Sequence, residues 1–247
     1  MKHIIVFLAY SELDIIKTSF DSILSPEFDY FIVENGSKNS ESIANYFKDL
    51  HKTNSNIKGY IQYTDNLAAS ALDYFLEDFH GVLSEYDFIT ITDGDFYVHD
   101  VIDMMCEVRS AFTYTDCCVS SVKLYMGNDY SRPMNGFERV IGTDIYDEIQ
   151  KGRMHQTYNP QPGFTSNCFI TFQPAFLDEL KKIHYIDTSI YNITVGLCKR
   201  WYVTEKHDAY HLTWDLYTDG HPYYEWKKDV INHIWDIKPR VEYKKII

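Results

Sequence analysis

Asp93-Gly94-Asp95 joins two carboxylates through one glycine, and this spacing suits a metal-binding segment or an acidic turn. In an extended segment, residues two apart point to the same side, so both carboxylates can face one ion. The glycine between them permits a tight backbone path and leaves room for a ligand. A divalent cation held by two carboxylates, with coordination positions still open, is what a nucleotide diphosphate needs for charge neutralisation.

The surroundings of this motif favour the metal site. It follows an apolar run at residues 88–92 that is typical of a buried strand. Phosphatases of the haloacid dehalogenase type place a similar motif after their first strand and need Thr or Val where this chain has Tyr97. An EF-hand loop that began at Asp93 would need Gly at Val98 and a carboxylate at Met104. Both of these alternatives are therefore excluded.

Strand and helix patterns alternate through the first half of the chain. Strands are predicted at residues 4–10, 30–33, 57–63, 86–92 and 117–126, and helices at 12–24, 43–50, 68–83 and 101–112. Ser11 is a candidate N-cap for the first helix. This order predicts an α/β fold with a mostly parallel central sheet and helices on both faces.

The pattern loosens in the second half of the chain. Residues 127–165 contain Gly, Pro, Asn and Asp with little periodicity, which predicts long loops that either bind substrate or simply cover the surface. Regular structure is predicted to resume with a strand at 166–172 and a short helix at 174–182. No repeat or linker divides the chain, so we expect one domain over 1–247, with a regular half at 1–126 and an irregular half at 127–247.

Net charge restricts the partners of the protein. The formal charge of −13 disfavours binding to nucleic acid, because phosphate backbones would be repelled. The C-terminal stretch is locally basic, and a solvated tail or contact with a phosphorylated or membrane-borne acceptor would both explain it. Its basic residues are Lys227, Lys228, Lys238, Arg240, Lys244 and Lys245.

Two further features bear on the compartment. No apolar run reaches the roughly 18 residues of a membrane span, so none is expected. The five cysteines are odd in number and lack metal-type spacing. Free thiols in a reducing compartment are the simplest explanation, and they predict a cytoplasmic location.

Polar side chains follow the first four predicted strands. They are Tyr10 after the first, residues 34–37 after the second, residues 65–66 after the third and residues 93–95 after the fourth. Ligands of open α/β sheets bind outside the carboxyl ends of the strands. The four strand ends together therefore predict a site for a nucleotide and a metal ion.

These segments resemble the nucleotide-binding half of inverting GT-A glycosyltransferases of the large family-2 type. That family has a Val-Asp-Asp-Gly-Ser-like segment after its second strand, an Asn-containing turn before an Ala-rich helix, and then a DxD motif. The first 125 residues match in order and rough spacing at 33–37, 65–69 and 93–95. The resemblance implies metal-dependent transfer of a sugar from a UDP-, GDP- or dTDP-sugar to a hydroxyl of a carbohydrate, glycolipid or glycoprotein. Inversion at the anomeric carbon, in glycan or polysaccharide assembly, is implied with it. The resemblance also implies that residues 1–126 are the nucleotide-sugar-binding half and residues 127–247 the acceptor-side half.

The resemblance also implies roles for individual residues. Asp95 would bind Mn²⁺ or Mg²⁺ directly, and His211 would complete the metal site, with His207 and His221 as alternatives. Glu34-Asn35 replaces the usual Asp-Asp, which leaves the base contact open, and Asn-Gly is also common turn chemistry. The residues implied to bind the nucleotide sugar are Ala9, Tyr10, Glu34, Asn35, Asn66, Asp93 and Gly94.

The general base implied by the resemblance has no direct counterpart, because the expected Glu-Asp pair is missing. Asp187 is the best-placed substitute, although an N-cap role would also suit it. Two other functions remain open. A nucleotidyltransferase would be expected to have a Gly-rich loop and a basic residue after its first strand, and the turn at residues 10–13 has neither. A non-catalytic module that binds nucleotides or carbohydrates would fit a missing base.

Overall fold

The protein is described by a computed structural model over residues 1–115, 117–126, 129–133, 168–184, 190, 193, 197, 200–213, 216–217, 219–233 and 236–247. The strands are β1 (His3–Ala9), β2 (Asp29–Asn35), β3 (Ile57–Tyr63), β4 (Phe88–Asp93), β5 (Phe96–Val98), β6 (Cys117–Met126), β7 (Asp129–Pro133), β8 (Ile170–Phe172), β9 (Arg200–His211) and β10 (Tyr243–Lys245). The helices are α1 (Leu13–Ile23), α2 (Ser40–His51), α3 (Ser70–Asp78), α4 (His80–Leu83), α5 (Val101–Tyr114), α6 (Leu177–Leu180) and α7 (Pro222–Asn232).

These strands form one sheet in the order β10-β3-β2-β1-β4-β8-β6-β9-β5, with β7 beside β6. Pairing is parallel among β3, β2, β1 and β4, and again between β6 and β9. Because β8 is antiparallel to both β4 and β6, the two parallel groups share one direction. The predicted α/β class with mostly parallel strands is confirmed.

The sheet is buried on both faces, as the continuous apolar sequence of β1 predicts. Ile4 and Val6 pack into one hydrophobic cluster, and Ile5 and Phe7 pack into a second cluster across the sheet. Alternate residues of a strand point to opposite faces, so one apolar run supplies both cores. None of the described helices is long and apolar enough to cross a bilayer.

Two predictions about the first half need correction. Ser11 does not cap α1, because Glu12 holds the cap position and the Ser11 hydroxyl lies 2.9 Å from the Tyr223 hydroxyl. The single helix predicted at 68–83 is two helices, since Phe79 leaves helical geometry with φ −109° and ψ 12° between α3 and α4. The Phe79 ring lies 4.6 Å from Phe31, centroid to centroid, so tertiary packing accompanies this break.

The second half also differs from expectation. Part of the predicted loop is a strand, because residues 129–133 pair with β6 as β7, while residues 134–167 lie outside the described part. The basic C-terminal stretch is not a solvated tail. It contains α7 and β10, and β10 pairs with β3 at the edge of the sheet. Lys227 is only 7% exposed.

Candidate functional site

Three neighbouring parallel strands end at one edge of the sheet and bring several predicted donor-binding residues together. In the register of β1, Ala9 lies opposite Glu34 on β2, and Leu8 lies opposite Asp93 on β4. Tyr10 follows directly after β1 at the same edge. Such carboxyl edges are where open α/β sheets bind their ligands.

The loops after β2 and β3 are fastened together by two asparagine side chains. Asn35 Nδ2 donates to the Ala68 carbonyl at 3.0 Å, and Asn35 Oδ1 accepts from the Leu67 amide at 2.9 Å. Asn66 Nδ2 donates to the Asn35 carbonyl at 3.0 Å. Gly36 has φ +70°, and a Cβ there would lie 2.6 Å from the backbone nitrogen of Asn66. Both asparagines shape the loops, and their contact with a nucleotide stays a prediction.

Glu34 is fully buried at the end of β2. Its Oε1 accepts a hydrogen bond from the Ser37 amide at 2.5 Å. Burial raises the pKa of the Glu34 carboxyl, and hydrogen bonds from Ser37 oppose that rise. The carboxyl therefore holds the turn after β2, and its contact with the base or ribose stays a prediction.

The Asp93-Gly94-Asp95 segment is a tight turn between two strands. Asp93 ends β4 half-buried, and Asp95 is buried just before β5. A Cβ on Gly94 would lie 2.8 Å from the Leu8 carbonyl oxygen, so only glycine allows this close approach to β1. Burial first, and then the charges of Asp93 and Asp95, raise the pKa of the Cys168 thiol. The carboxylates of Asp93 and Asp95 therefore both lie close enough to the buried Cys168 thiol to raise its pKa.

Asp95 is held by contacts from β9 and α7. The Thr213 hydroxyl donates to Asp95 Oδ2 at 2.8 Å, and the Leu212 amide donates to the Asp95 carbonyl at 2.8 Å. The Lys227 ammonium lies 3.7 Å from Asp95 Oδ2. Burial alone would raise the pKa of Asp95, but His211 in its protonated form, the Lys227 ammonium and the Thr213 hydroxyl bring it below its usual value. The group is therefore a carboxylate, the form that binds cations.

His211 ends β9 beside the same threonine. Its Nδ1 lies 3.3 Å from the Thr213 amide, which donates to it, and its ring packs edge-on against Phe96 at 5.2 Å. Burial lowers the pKa of His211. The negative charge of Asp95 raises this pKa and the positive charge of Lys227 lowers it, and the net pKa lies below the usual value. The imidazole is therefore neutral near pH 7, as metal ligation requires.

The two alternative histidines have other partners. His207 Nδ1 lies 2.6 Å from Glu107 Oε2, and His221 Nδ1 accepts a hydrogen bond from the Tyr223 amide at 3.2 Å, which caps α7. Of the three histidines, His211 is therefore the one that contacts Thr213, whose hydroxyl donates to Asp95. Its role as a ligand stays a prediction.

Lys227 is the functional candidate that sequence reasoning missed. Its ammonium lies over the ring of Tyr223 at 4.9 Å and over the ring of Tyr10 at 5.3 Å. Burial would lower the pKa of Lys227, but Asp95 and nearby tyrosines hold it above its usual value. Pro222 after His221 is a helix-start signal, and Tyr223 with Lys227 has the i, i+4 spacing of one helix face, so the pattern was present in the sequence.

An aromatic wall completes this edge of the sheet. The rings of Tyr10 and Trp226 lie 5.2 Å apart and are tilted by 41°. The Lys38 ammonium lies 4.9 Å from the Trp226 ring centroid. Flat aromatic faces next to cations suit the base and phosphates of a nucleotide.

A complete metal cage is not present in the described residues, where no three His, Cys, Asp or Glu side chains group around one point. Cations that serve nucleotides commonly take one or two protein carboxylates plus the phosphates of the ligand. Asp95 with His211 is compatible with a partial site of that kind. Asp187, the predicted base, lies outside the described residues.

Comparisons with known sequences give distant relatives. No family model matches the chain. Three uncharacterized proteins of Acanthamoeba polyphaga mimivirus, L138, L142 and L137, are 27%, 28% and 26% identical, each over 92% of this chain. The chain spans 26%, 47% and 32% of their lengths, respectively.

Solved structures with the same fold include S. aureus TarS. Residues 1–349 of TarS in complex with UDP-GlcNAc match 97% of this chain and 68% of that chain, with 15% identity and a TM-score of 0.54. A longer TarS structure matches 97% of this chain and 41% of that chain, with 15% identity and a TM-score of 0.55. At this identity the likeness shows a shared fold.

Proposed function

We propose that this chain is a glycosyltransferase that moves a sugar from a UDP-sugar to an acceptor hydroxyl. The observation that carries the proposal is the carboxyl edge of the sheet, where Tyr10 follows β1, Asp93 ends the neighbouring β4 and the buried Asp95 lies two residues further on. TarS has the same fold and was solved with UDP-GlcNAc, which favours a UDP-sugar over a GDP- or dTDP-sugar as donor. The acceptor belongs to the carbohydrate, glycolipid or glycoprotein class.

The reaction requires a nucleophile, a leaving group and a destination for one proton. The acceptor oxygen attacks the anomeric carbon while the bond from that carbon to the diphosphate oxygen breaks, and UDP leaves with the electron pair. Direct attack from the opposite side inverts the anomeric centre. The acceptor proton passes to a carboxylate, for which Asp187 is our candidate.

Asp95 would hold a divalent cation, Mn²⁺ or Mg²⁺, together with His211 and with Asp93 nearby. Such a cation neutralises charge that develops on the leaving diphosphate. The part played by the chain itself is to keep Asp95 ionised and fixed. Neighbouring positive charge, that of Lys227 included, and the Thr213 hydrogen bond hold the pKa of Asp95 low, and this hydrogen bond, at 2.8 Å, also fixes the carboxylate. Neutral His211 then adds a nitrogen ligand that borderline ions such as Mn²⁺ accept.

Asp95→Asn tests this assignment with little change in side-chain volume. We expect UDP-GlcNAc hydrolysis or transfer in Mn²⁺ buffer to fall at least about a hundredfold, because the carboxylate that faces the leaving group is lost. Asp49→Asn is the matched control, since Asp49 is exposed on α2 and pairs there with Lys52. Turnover is followed by release of UDP.

Unchanged turnover in Asp95→Asn would remove Asp95 from the site. UDP binding by the wild-type protein without turnover of any UDP-sugar would instead favour a non-catalytic binding module.

Cys106 and Cys168 are free thiols. They support a reducing compartment such as the cytoplasm as the location of the reaction.

A further inference from the structure

We propose that Lys227 of α7 binds the diphosphate of the nucleotide sugar directly, an inference that rests on the function proposed above. The side chain is 9% exposed, although lysine is among the residues least often buried. Its ammonium lies 3.7 Å from Asp95 Oδ2. A buried cation beside the carboxylate that is proposed to face the diphosphate requires an explanation beyond stability, because ion pairs of this kind gain little net free energy.

The position of the ammonium group defines what it can reach. It lies 5.3 Å from the ring of Tyr10 and 3.7 Å from the Asp95 carboxylate. A nucleotide whose base or ribose packs on Tyr10 and whose diphosphate meets Asp95 would therefore have the Lys227 ammonium near both of its ends. Its phosphates then come within contact distance of a fixed positive charge.

The helix that carries Lys227 is fixed to the site. Tyr223, one turn earlier on α7, has its hydroxyl 2.9 Å from the Ser11 hydroxyl in the loop after β1. Residues four apart on a helix share a face, so this contact orients Lys227 toward Asp95. The cation is therefore held at the strand ends before any ligand arrives, which lowers the entropy cost of binding.

The polar contacts that Lys227 makes in the protein are longer than the hydrogen bonds that it could make to a phosphate. The ammonium lies 3.7 Å from Asp95 Oδ2 and 3.5 Å from the Tyr217 hydroxyl. Direct hydrogen bonds between ammonium and phosphate or carboxylate are shorter, at about 2.7–2.9 Å. A phosphate oxygen at that distance would replace a long contact by a strong one. If a divalent cation takes the Asp95 carboxylate, a phosphate can then serve as an anionic partner of Lys227.

The inference is tested by the affinity of UDP and of uridine for Lys227→Met, Lys227→Arg and the wild type. UDP is measured by calorimetry in Mn²⁺ and in chelator, and uridine by NMR titration. We expect Lys227→Met to weaken UDP at least about tenfold in both buffers, the value of one charged hydrogen bond, and to leave uridine within about twofold. Lys227→Arg retains the charge and should recover part of the loss.

Lys228→Met is the control, because Lys228 is the next residue on α7 but is 42% exposed and contacts Asp219 and Glu225. It should bind UDP as the wild type does. Melting temperatures of all variants identify unfolding, and Lys227→Gln, which keeps a hydrogen-bond donor, replaces Lys227→Met if that variant does not fold. Equal UDP affinity in the wild type and the neutral variant overturns this inference alone, as does an equal loss for UDP and uridine. No UDP binding by the wild type overturns the proposed function as well.

Discussion

Single residues decide whether the edge of the sheet can form a site. Asp95 is buried and remains ionised because Thr213 and Lys227 compensate for its burial. Gly94 matters for a different reason, since the backbone there passes so close to β1 that a side chain would meet the Leu8 carbonyl oxygen at 2.8 Å. The acidic turn that the sequence also allowed is therefore present, and the proposed cation site would use the same residues.

Gly94→Ala should displace the turn and weaken UDP binding. A Cβ at this position would also meet the Phe7 ring at 3.2 Å, so the backbone must shift, at a cost of about 1–3 kcal/mol in the free energy of unfolding. Gly81→Ala is the control, because a Cβ there meets no atom within 4 Å and alanine favours a helix by up to about 1 kcal/mol. Denaturant unfolding and UDP titration measure both effects, and equal stability and affinity in the two variants would contradict the account.

At the scale of elements, polar side chains inside the sheet connect neighbouring strands. His3 Nε2 on β1 lies 2.6 Å from the Thr90 hydroxyl on β4, which in turn lies 2.6 Å from the Thr171 hydroxyl on β8. Burial first, and Arg109 second, lower the pKa of His3 to about 3. This row of hydrogen bonds joins the parallel half of the sheet to the first antiparallel strand. The His3 imidazole in this row is neutral.

His3 makes the stability of the sheet depend on pH. Below about pH 6.5 the unfolded chain takes up a proton at His3, while the folded chain does not until about pH 3. The free energy of unfolding should therefore fall with decreasing pH in this window, by about 1.4 kcal/mol per pH unit from this residue.

His3→Gln should show a shallower decrease between pH 6 and pH 4 than the wild type in denaturant unfolding, because glutamine cannot take up this proton. His51→Gln is the control, since His51 is exposed on α2. Parallel pH profiles for the wild type and His3→Gln would mean that His3 is protonated in the folded protein.

At the scale of the whole molecule, local patterns predict the parallel half of the sheet well. The strands β1 to β4 and the helices between them follow from apolar periodicity within short segments, and the order of polar strand ends predicts where the candidate site lies. The strands β5 and β10, only three residues each, were missed because their pairing is with β9 and β3, distant in sequence. Burial of Lys227 was missed for the same reason, since its partner Asp95 lies more than a hundred residues earlier in the chain.

The most direct test of the central claim is hydrogen–deuterium exchange of the wild-type protein with and without UDP and Mn²⁺. We predict slower exchange in peptides that cover the loops after β1, β2 and β4 and in α7, because these segments surround Asp95 and Lys227. Exchange in the last turns of α2, residues 46–51, should not change, because they form the end of the helix remote from the turn after β2. Protection confined to other segments, or no protection at saturating UDP, would contradict the proposal that the carboxyl edge of the sheet is the donor site.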